Sequence, residues 1–166
     1  MNHLMSKPSI STRGSSAFQF LDSVGDNEPG SRKQDRDELF LHMLEAYRGS
    51  GGLYRGGDVN ALLEGRGRHT AGTVDKWMDR NEVIHFEWQC LTWLPRFQFD
   101  MVTKAPLAEV GLVATELAGV YDKWETALWF AHPSSALEGR VPADAMRSDP
   151  DLVIQAARRD RRLAIA

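Results

Sequence analysis

The sequence predicts a mainly α-helical fold with one small β-hairpin, organised as an N-terminal module and a C-terminal helical module. Apolar residues recur at three- and four-residue spacing through most of the chain after residue 35, whereas one segment near its middle alternates with period two. Clusters of glycine and proline separate these segments. At 166 residues, 42% of them hydrophobic, the chain is long enough to bury the core of one ordinary domain or of two small ones.

Composition excludes several classes of protein. The formal net charge of −3 gives the chain no general attraction to phosphate, so contact with nucleic acid needs a local basic patch. The single cysteine, Cys90, rules out an internal disulfide and a cysteine-rich zinc site, and it is typical of a reducing compartment. The first residues form no apolar leader, and no stretch reaches about 18 apolar residues. We therefore expect a cytoplasmic protein without a membrane segment.

Three helices are predicted in the N-terminal module, residues 35–104. They follow a flexible arm, residues 1–34, which is rich in serine, glycine, proline and charges. The first helix begins at Asp35 and stops at the glycine-rich residues 49–57, which we interpret as a linker or turn. The second follows that linker and the third ends near Asn81, each bounded by glycine or by a polar cap residue.

A β-hairpin completes the N-terminal module. Residues 83–88 and 91–99 alternate with period two on either side of a turn at Gln89-Cys90. Proline cannot donate a ladder hydrogen bond, so Pro95 is expected to place the second strand at a sheet edge or at a bulge.

Two short helices followed by an aromatic hairpin resemble a winged helix-turn-helix of the excisionase and MerR type, in which the second helix of the pair enters the major groove. The matching segments are residues 56–63, 73–78, 83–86 and 93–99. The connection over residues 65–72 is longer and richer in glycine than is usual in that family. The resemblance implies that this module binds DNA.

Five residues on the third helix and just before it are the predicted DNA contacts. Arginine and lysine contact phosphates or guanine edges, and threonine can hydrogen-bond to either. The five are Arg66, Arg68, Thr73, Lys76 and Arg80. Asp75 and Asp79 interrupt this basic cluster and would repel phosphate from the same face. The alternative interpretation is that these charges only solvate the outside of a small helical cap.

The C-terminal module, residues 105–166, is predicted to be helical throughout. Pro106 is expected in the first turn of a long amphipathic helix, which leads through Tyr121-Asp122 into residues 124–129 until Pro133 ends it. A short helix should begin at Pro142. Asp149 is expected to cap the last helix.

Several motifs of this module resemble the toxin-binding domain of Xre/MbcA/ParS-type antitoxins over residues 107–160. The matching segments are Trp129-Phe130-Ala131-His132-Pro133, Leu137-Glu138-Gly139-Arg140-Val141-Pro142, Ser148-Asp149-Pro150, and Val153 with Ala156-Ala157-Arg158. The resemblance implies a DNA-binding transcriptional regulator that binds and neutralises a protein toxin, commonly of the RES-domain class, and represses its own promoter. It also implies dimerisation, which exposed aromatic residues around Phe86 to Trp93 would favour.

Exposed arginines are the predicted contacts to a protein partner, because arginine is enriched at interfaces. They are Arg140, Arg147, Arg158, Arg159 and Arg162. The buried-type residues of the same motifs, such as Trp124 and Leu137, are interpreted as core. The arginines at the C-terminus are equally typical of a helix end whose dipole they complement.

The sequence contains no pattern typical of catalysis or of a cofactor site. None of the five histidines lies in a nucleophile–base–acid motif or at metal-ligand spacing. We therefore expect a non-enzymatic protein without a metal or other cofactor. Two hypotheses follow: an antitoxin-like regulator that binds DNA and a toxin, and a protein-interaction or structural module whose hairpin packs on the helical module and never meets DNA.

Overall fold

The fold is mainly α-helical, as the sequence predicted, but the described residues form two small antiparallel sheets where one hairpin was expected. The computed structural model describes residues 29–64 and 72–166, so residues 1–28 of the predicted arm lie outside the described residues. Helix α1 (Pro29–Ala46) begins earlier than predicted, so residues 29–34 are helical and do not belong to an arm. Its inner face buries Leu39, Phe40 and Met43, spaced one and three residues apart.

Strand β1 (Leu53–Arg55) follows α1 within the segment that we expected to be only a linker or turn. Gly51 and Gly52 adopt positive φ angles of 107° and 85°, which reverse the chain after α1. The strand then pairs with residues far along the chain, an interaction that three residues of local sequence cannot reveal. Helix α2 (Gly56–Glu64) and helix α3 (Thr73–Asp79) follow, close to the predicted positions.

The hairpin forms at the predicted turn but with shorter strands. Strand β2 (Phe86–Trp88) pairs with strand β3 (Leu91–Pro95), and Gln89 and Cys90 both have positive φ, at 49° and 61°. Two such residues make the tight turn whose twist suits a hairpin. Strand β1 pairs with the other side of β3, so the sheet order is β1-β3-β2.

The prediction for Pro95 was wrong, because β3 is the central strand of the sheet. Pro95 is the last residue of β3, and a 3-10 turn over Arg96–Gln98 follows it at once. The neighbouring amide of Arg96 donates to the carbonyl of Gly52 at 2.9 Å. A proline at the end of a central strand therefore interrupts no bond inside the ladder.

A second small sheet joins the two modules. Strand β4 (Phe99–Asp100) pairs with strand β5 (Ala105–Pro106). The carboxylate of Asp100 accepts hydrogen bonds from the amides of Val102 and Thr103, at 2.7 and 3.0 Å, and so holds the intervening turn. Pro106 thus lies in a strand and not in the first turn of a helix.

The long helix predicted after Pro106 is two helices, α4 (Ala108–Leu117) and α5 (Lys123–Ala131). Asp122 and Glu125 form a capping box, in which each side chain accepts from the other's backbone amide, both at 2.8 Å. This box begins α5 and favours a break over a continuous helix. Helix α6 (Pro142–Ala145) and helix α7 (Pro150–Ala164) complete the chain, and each has proline in its first turn.

The two predicted modules share one core. The larger buried cluster contains residues of α1 together with residues of α4, α5, α6 and α7, whereas a smaller cluster lies between α2, α3 and the sheet. The Tyr47 hydroxyl, directly after α1, donates to the carbonyl of Ala127 in α5 at 2.5 Å. Among the described helices, none has both the length and the apolar character that crossing a membrane requires.

Candidate functional site

The outer face of α3 carries both signs of charge. Lys76 and Arg80 are exposed, and so are Asp75 and Asp79. At 100° per residue, the two carboxylates lie about 40° apart around the helix, and the two cations follow on the adjacent edge. The basic edge is therefore narrow and has an acidic stripe beside it.

The other predicted DNA contacts add little to this edge within the described residues. Thr73 is half-buried at the first turn of α3. Arg80 lies 3.9 Å from Glu82, and both side chains are largely exposed, so this ion pair is weak. Arg66 and Arg68 lie outside the described residues.

The hairpin is docked against the rest of the protein on one side. Trp88 stacks on Phe40 of α1 with ring centroids 3.8 Å apart, and its indole nitrogen donates to Asp37 at 2.9 Å. From α5, the indole of Trp124 donates to the carbonyl of Glu87 at 3.0 Å. These contacts tie β2 to α1 and α5, whereas Gln89, Cys90 and Leu91 at the tip are exposed.

The expectation of exposed aromatic residues between Phe86 and Trp93 was wrong. Phe86 is completely buried, and Trp88 and Trp93 are partly buried against the main core. A period-two pattern shows that a strand has an apolar face but not what covers it. The argument for dimerisation through these rings therefore no longer holds.

The segment between Trp129 and Pro142 builds one tight corner between α5 and α6. Ser134 is buried. Its amide donates to the carbonyl of Arg140 at 3.0 Å, and its carbonyl accepts from the amide of Gly139 at 2.9 Å. Glu138 and Gly139 have positive φ, at 57° and 83°, which turn the chain back. Leu137 is buried beneath this turn. The motif spacing thus corresponds to a defined backbone path.

The predicted partner-binding arginines divide into two groups. Three of them bond to other parts of the fold. Arg140 pairs with Asp149 at 2.5 Å, Arg147 donates to the carbonyl of Phe99 at 2.9 Å, and Arg158 pairs with Glu116 of α4 at 2.9 Å.

The remaining two, Arg159 and Arg162, are exposed on α7. Neither forms a salt bridge with another residue of the described ranges. They are therefore the two arginines of this set whose charges stay available at the surface.

Asp149 occupies the predicted cap position of α7, but its side chain does not cap the helix. The carboxylate bonds to Arg140 instead, and this hydrogen bond holds the pKa of Asp149 below its ordinary value. The Arg140–Asp149 pair closes the corner across the short helix α6.

The most buried charged group at this corner is Asp160 of α7, which the sequence analysis did not single out. Its carboxylate accepts the indole N–H of the buried Trp129 at 2.7 Å. Burial raises the pKa of Asp160, although the hydrogen bond from Trp129 and the charge of Arg159 oppose this shift. No local pattern could have found this pair, because 31 residues separate its members.

Asp160→Asn is expected to raise the melting temperature by about 2–4 °C at pH 7, equivalent to about 1 kcal/mol for a chain of this size. The amide still accepts the Trp129 bond but carries no buried charge. Because the pKa of Asp160 is raised in the folded state, the stability of the parent protein falls as the pH rises through this pKa. The gain should therefore shrink as the pH approaches the ordinary aspartate value.

Thermal denaturation at pH 7 and at pH 4 measures this difference, and Asp151→Asn is the matched control. Asp151 is exposed in the first turn of the same helix, so its loss should be neutral or slightly destabilising. If Asp160→Asn is less stable than the parent at pH 7, the prediction is wrong, and the surrounding groups stabilise the buried carboxylate charge.

A cavity of about 280 Å³ lies between residues 81–85 and helices α4 and α5. At its wall the ring Nε2 of His85 lies 2.7 Å from the Lys123 ammonium. Burial, and then the Lys123 charge, hold the pKa of His85 below its ordinary value. A neutral ring accepts a hydrogen bond from the ammonium, so this pair links the N-terminal module to the start of α5.

Comparison with known proteins returned no relative. No family model, no curated protein and no solved structure matches this chain.

Proposed function

We propose that the chain is an antitoxin-like transcriptional regulator, in which the N-terminal module binds DNA and the C-terminal module binds and neutralises a protein toxin. The toxin would be of the RES-domain class that the motifs imply, and the DNA would be the promoter of the regulator itself. A dimer would suit a repeated operator.

The observation that carries the DNA-binding half is the topology. Helix α1, strand β1, helices α2 and α3 and the β2–β3 hairpin follow one another, and the sheet order is β1-β3-β2. A winged helix-turn-helix has this order of elements, with a strand between its first and second helices that anchors the hairpin. In such a module α3 would enter the major groove and the turn at Gln89-Cys90 would be the wing.

The corner between α5 and α7 supports the toxin-binding half. Motif residues that resemble the antitoxin family include Gly139 and Arg140, which define its backbone path, and Trp129, whose indole donates to Asp160 outside the motifs. Arg159 and Arg162 lie exposed on the outer side of α7, where guanidinium groups would suit an acidic surface on a partner.

A second candidate is a protein-interaction module that does not bind DNA. The exposed Asp75 and Asp79 favour it, because they place negative charge on the helix that would face phosphate. The docking of Trp88 and Trp124 also favours it, since it covers one side of the hairpin.

The deciding experiment is a pull-down of the tagged chain from its own host, with mass spectrometry of bound protein and sequencing of bound DNA. One stoichiometric protein partner together with the chain's own promoter region supports the proposal. A protein partner without DNA supports the second candidate, and recovery of neither contradicts both.

Substitutions on α3 test DNA binding directly, by measuring the affinity of each variant for the promoter duplex. Lys76→Ala and Arg80→Ala are each expected to weaken binding to the promoter duplex and to lower the slope of log affinity against log salt by about one. Asp75→Asn should strengthen binding. Arg162→Ala removes an equal charge from the other module and is the control. Equal affinities for all four variants and the parent would exclude α3 as the contact helix.

A further inference from the structure

Two histidines meet across the seam between α1 and α5. His42 is exposed on α1, and His132 follows the last residue of α5. Their Nε2 atoms are 2.8 Å apart, and their rings stack with centroids 4.9 Å apart. The two residues are 90 positions apart in the sequence.

The orientation of the His132 ring is determined by its other nitrogen. Nδ1 lies 2.8 Å from the carbonyl oxygen of Leu128, which can only accept, so Nδ1 carries the proton. The Nε2 atom of a neutral His132 then holds a lone pair directed at His42. A histidine that ligates a metal is held in the same way, by a backbone carbonyl on the nitrogen that does not bind the ion.

We propose that His42 and His132 form a two-imidazole binding site for a divalent late transition metal, with Ni²⁺ or Cu²⁺ preferred. Bonds of about 2.05 Å to two nitrogens 2.8 Å apart enclose an angle of about 86° at the metal. Octahedral and square-planar geometries place neighbouring ligands at about 90°. Tetrahedral Zn²⁺ would need the nitrogens about 0.5 Å farther apart.

Binding requires both rings to turn, because the hydrogen bond directs their Nε2 atoms at each other and not at a shared ion. In the neutral pair His42 donates its Nε2 proton to His132, and metal binding displaces this proton to solvent or to the other nitrogen of the ring.

The remaining coordination positions would be filled by water or by ligands from another molecule. In residues 29–64 and 72–166 no cluster of three or more His, Cys, Asp or Glu residues that could hold a metal is present. His42 itself is exposed to solvent. A bound ion would join α1 to α5 and so make the contact between the modules more rigid.

The test is titration of the full chain with Ni²⁺ and, separately, with Cu²⁺. Calorimetry is expected to give one ion per chain, and the Cu²⁺ electron paramagnetic resonance spectrum should show two coordinated imidazole nitrogens. His42→Gln changes an exposed side chain, so the variant should fold, and it should bind Ni²⁺ at least about tenfold more weakly. His132→Asn should have the same effect.

The double variant His3→Gln/His69→Gln is the matched control, because it removes two other histidines and leaves the pair intact. It should retain the affinity of the parent and the two-nitrogen signal. Parent-like Ni²⁺ binding by His42→Gln, or loss of binding in the control variant, would overturn the proposal.

Discussion

Trp129→Ala is expected to lower the free energy of unfolding by about 3–5 kcal/mol, the usual range for removing a buried aromatic side chain. For a chain of this length that loss corresponds to a fall in melting temperature of about 8–16 °C, taking 4 kcal/mol and 2–4 °C per kcal/mol. Trp129 is 2% exposed and packs edge-to-face on Phe130, with ring centroids 5.0 Å apart. Its loss also leaves the carboxylate of Asp160 without its indole donor.

Trp129→Phe separates the contribution of ring packing from that of the indole hydrogen bond, since it keeps most of the ring volume and removes the N–H. We expect it to lose about 1–3 kcal/mol, the cost of a buried acceptor without a partner. Combined with Asp160→Asn, this loss should become smaller, and the double-mutant cycle measures the coupling. Strictly additive effects on the melting temperature would mean that the 2.7 Å hydrogen bond contributes nothing to stability.

Gln98→Glu is expected to lower the free energy of unfolding by about 3–5 kcal/mol at pH 7. Two buried carbonyls lose their hydrogen-bond donor, which costs about 1–3 kcal/mol each, and a negative charge becomes buried. The Gln98 side chain is fully buried. Its Oε1 accepts from the amide of Ile84 at 2.6 Å, and its Nε2 donates to the carbonyls of Ile84 and Pro95, each at 2.9 Å. This amide therefore ties the segment before β2 to the end of β3.

The Gln98→Glu loss should decrease at acidic pH, because a protonated carboxyl is neutral and can donate one of the two missing bonds. Chemical denaturation at pH 7 and pH 5 measures it. Gln155→Glu makes the same chemical change at an exposed position on α7 and should change stability by less than about 0.5 kcal/mol. Equal losses for the two variants would contradict the role assigned to Gln98.

Much of the fold could be predicted from local sequence. Apolar spacing located α1, α2, α3 and α7, and the Gln89-Cys90 turn was found because alternating residues flank it. The break between α4 and α5 was missed although it had a local signal, the Asp122-x-x-Glu125 capping box after Gly119. Strand β1 was missed because three residues that include one apolar and one aromatic side chain resemble any short linker.

The candidate surfaces could be predicted only in part. Residue types and helical spacing placed Thr73, Lys76 and Arg80 on an outer face; Lys76 and Arg80 are exposed, whereas Thr73 is half-buried. Which arginines bond to other parts of the fold depends on partners such as Glu116 and the carbonyl of Phe99, which lie more than 40 residues away. The sequence shows charge but not the group that each charge meets.

The sequence by itself determined the class of the fold, the positions of most helices, the hairpin turn, and the proline and glycine positions of the C-terminal corner. These features follow from periodicity and from backbone preferences within a few residues. Only the tertiary structure decided that β3 is central, that the hairpin aromatics are buried, and that Trp129 meets Asp160 and His42 meets His132. Such pairings depend on how the helices pack in three dimensions. The number of residues between two positions does not tell how far apart their side chains lie in the fold.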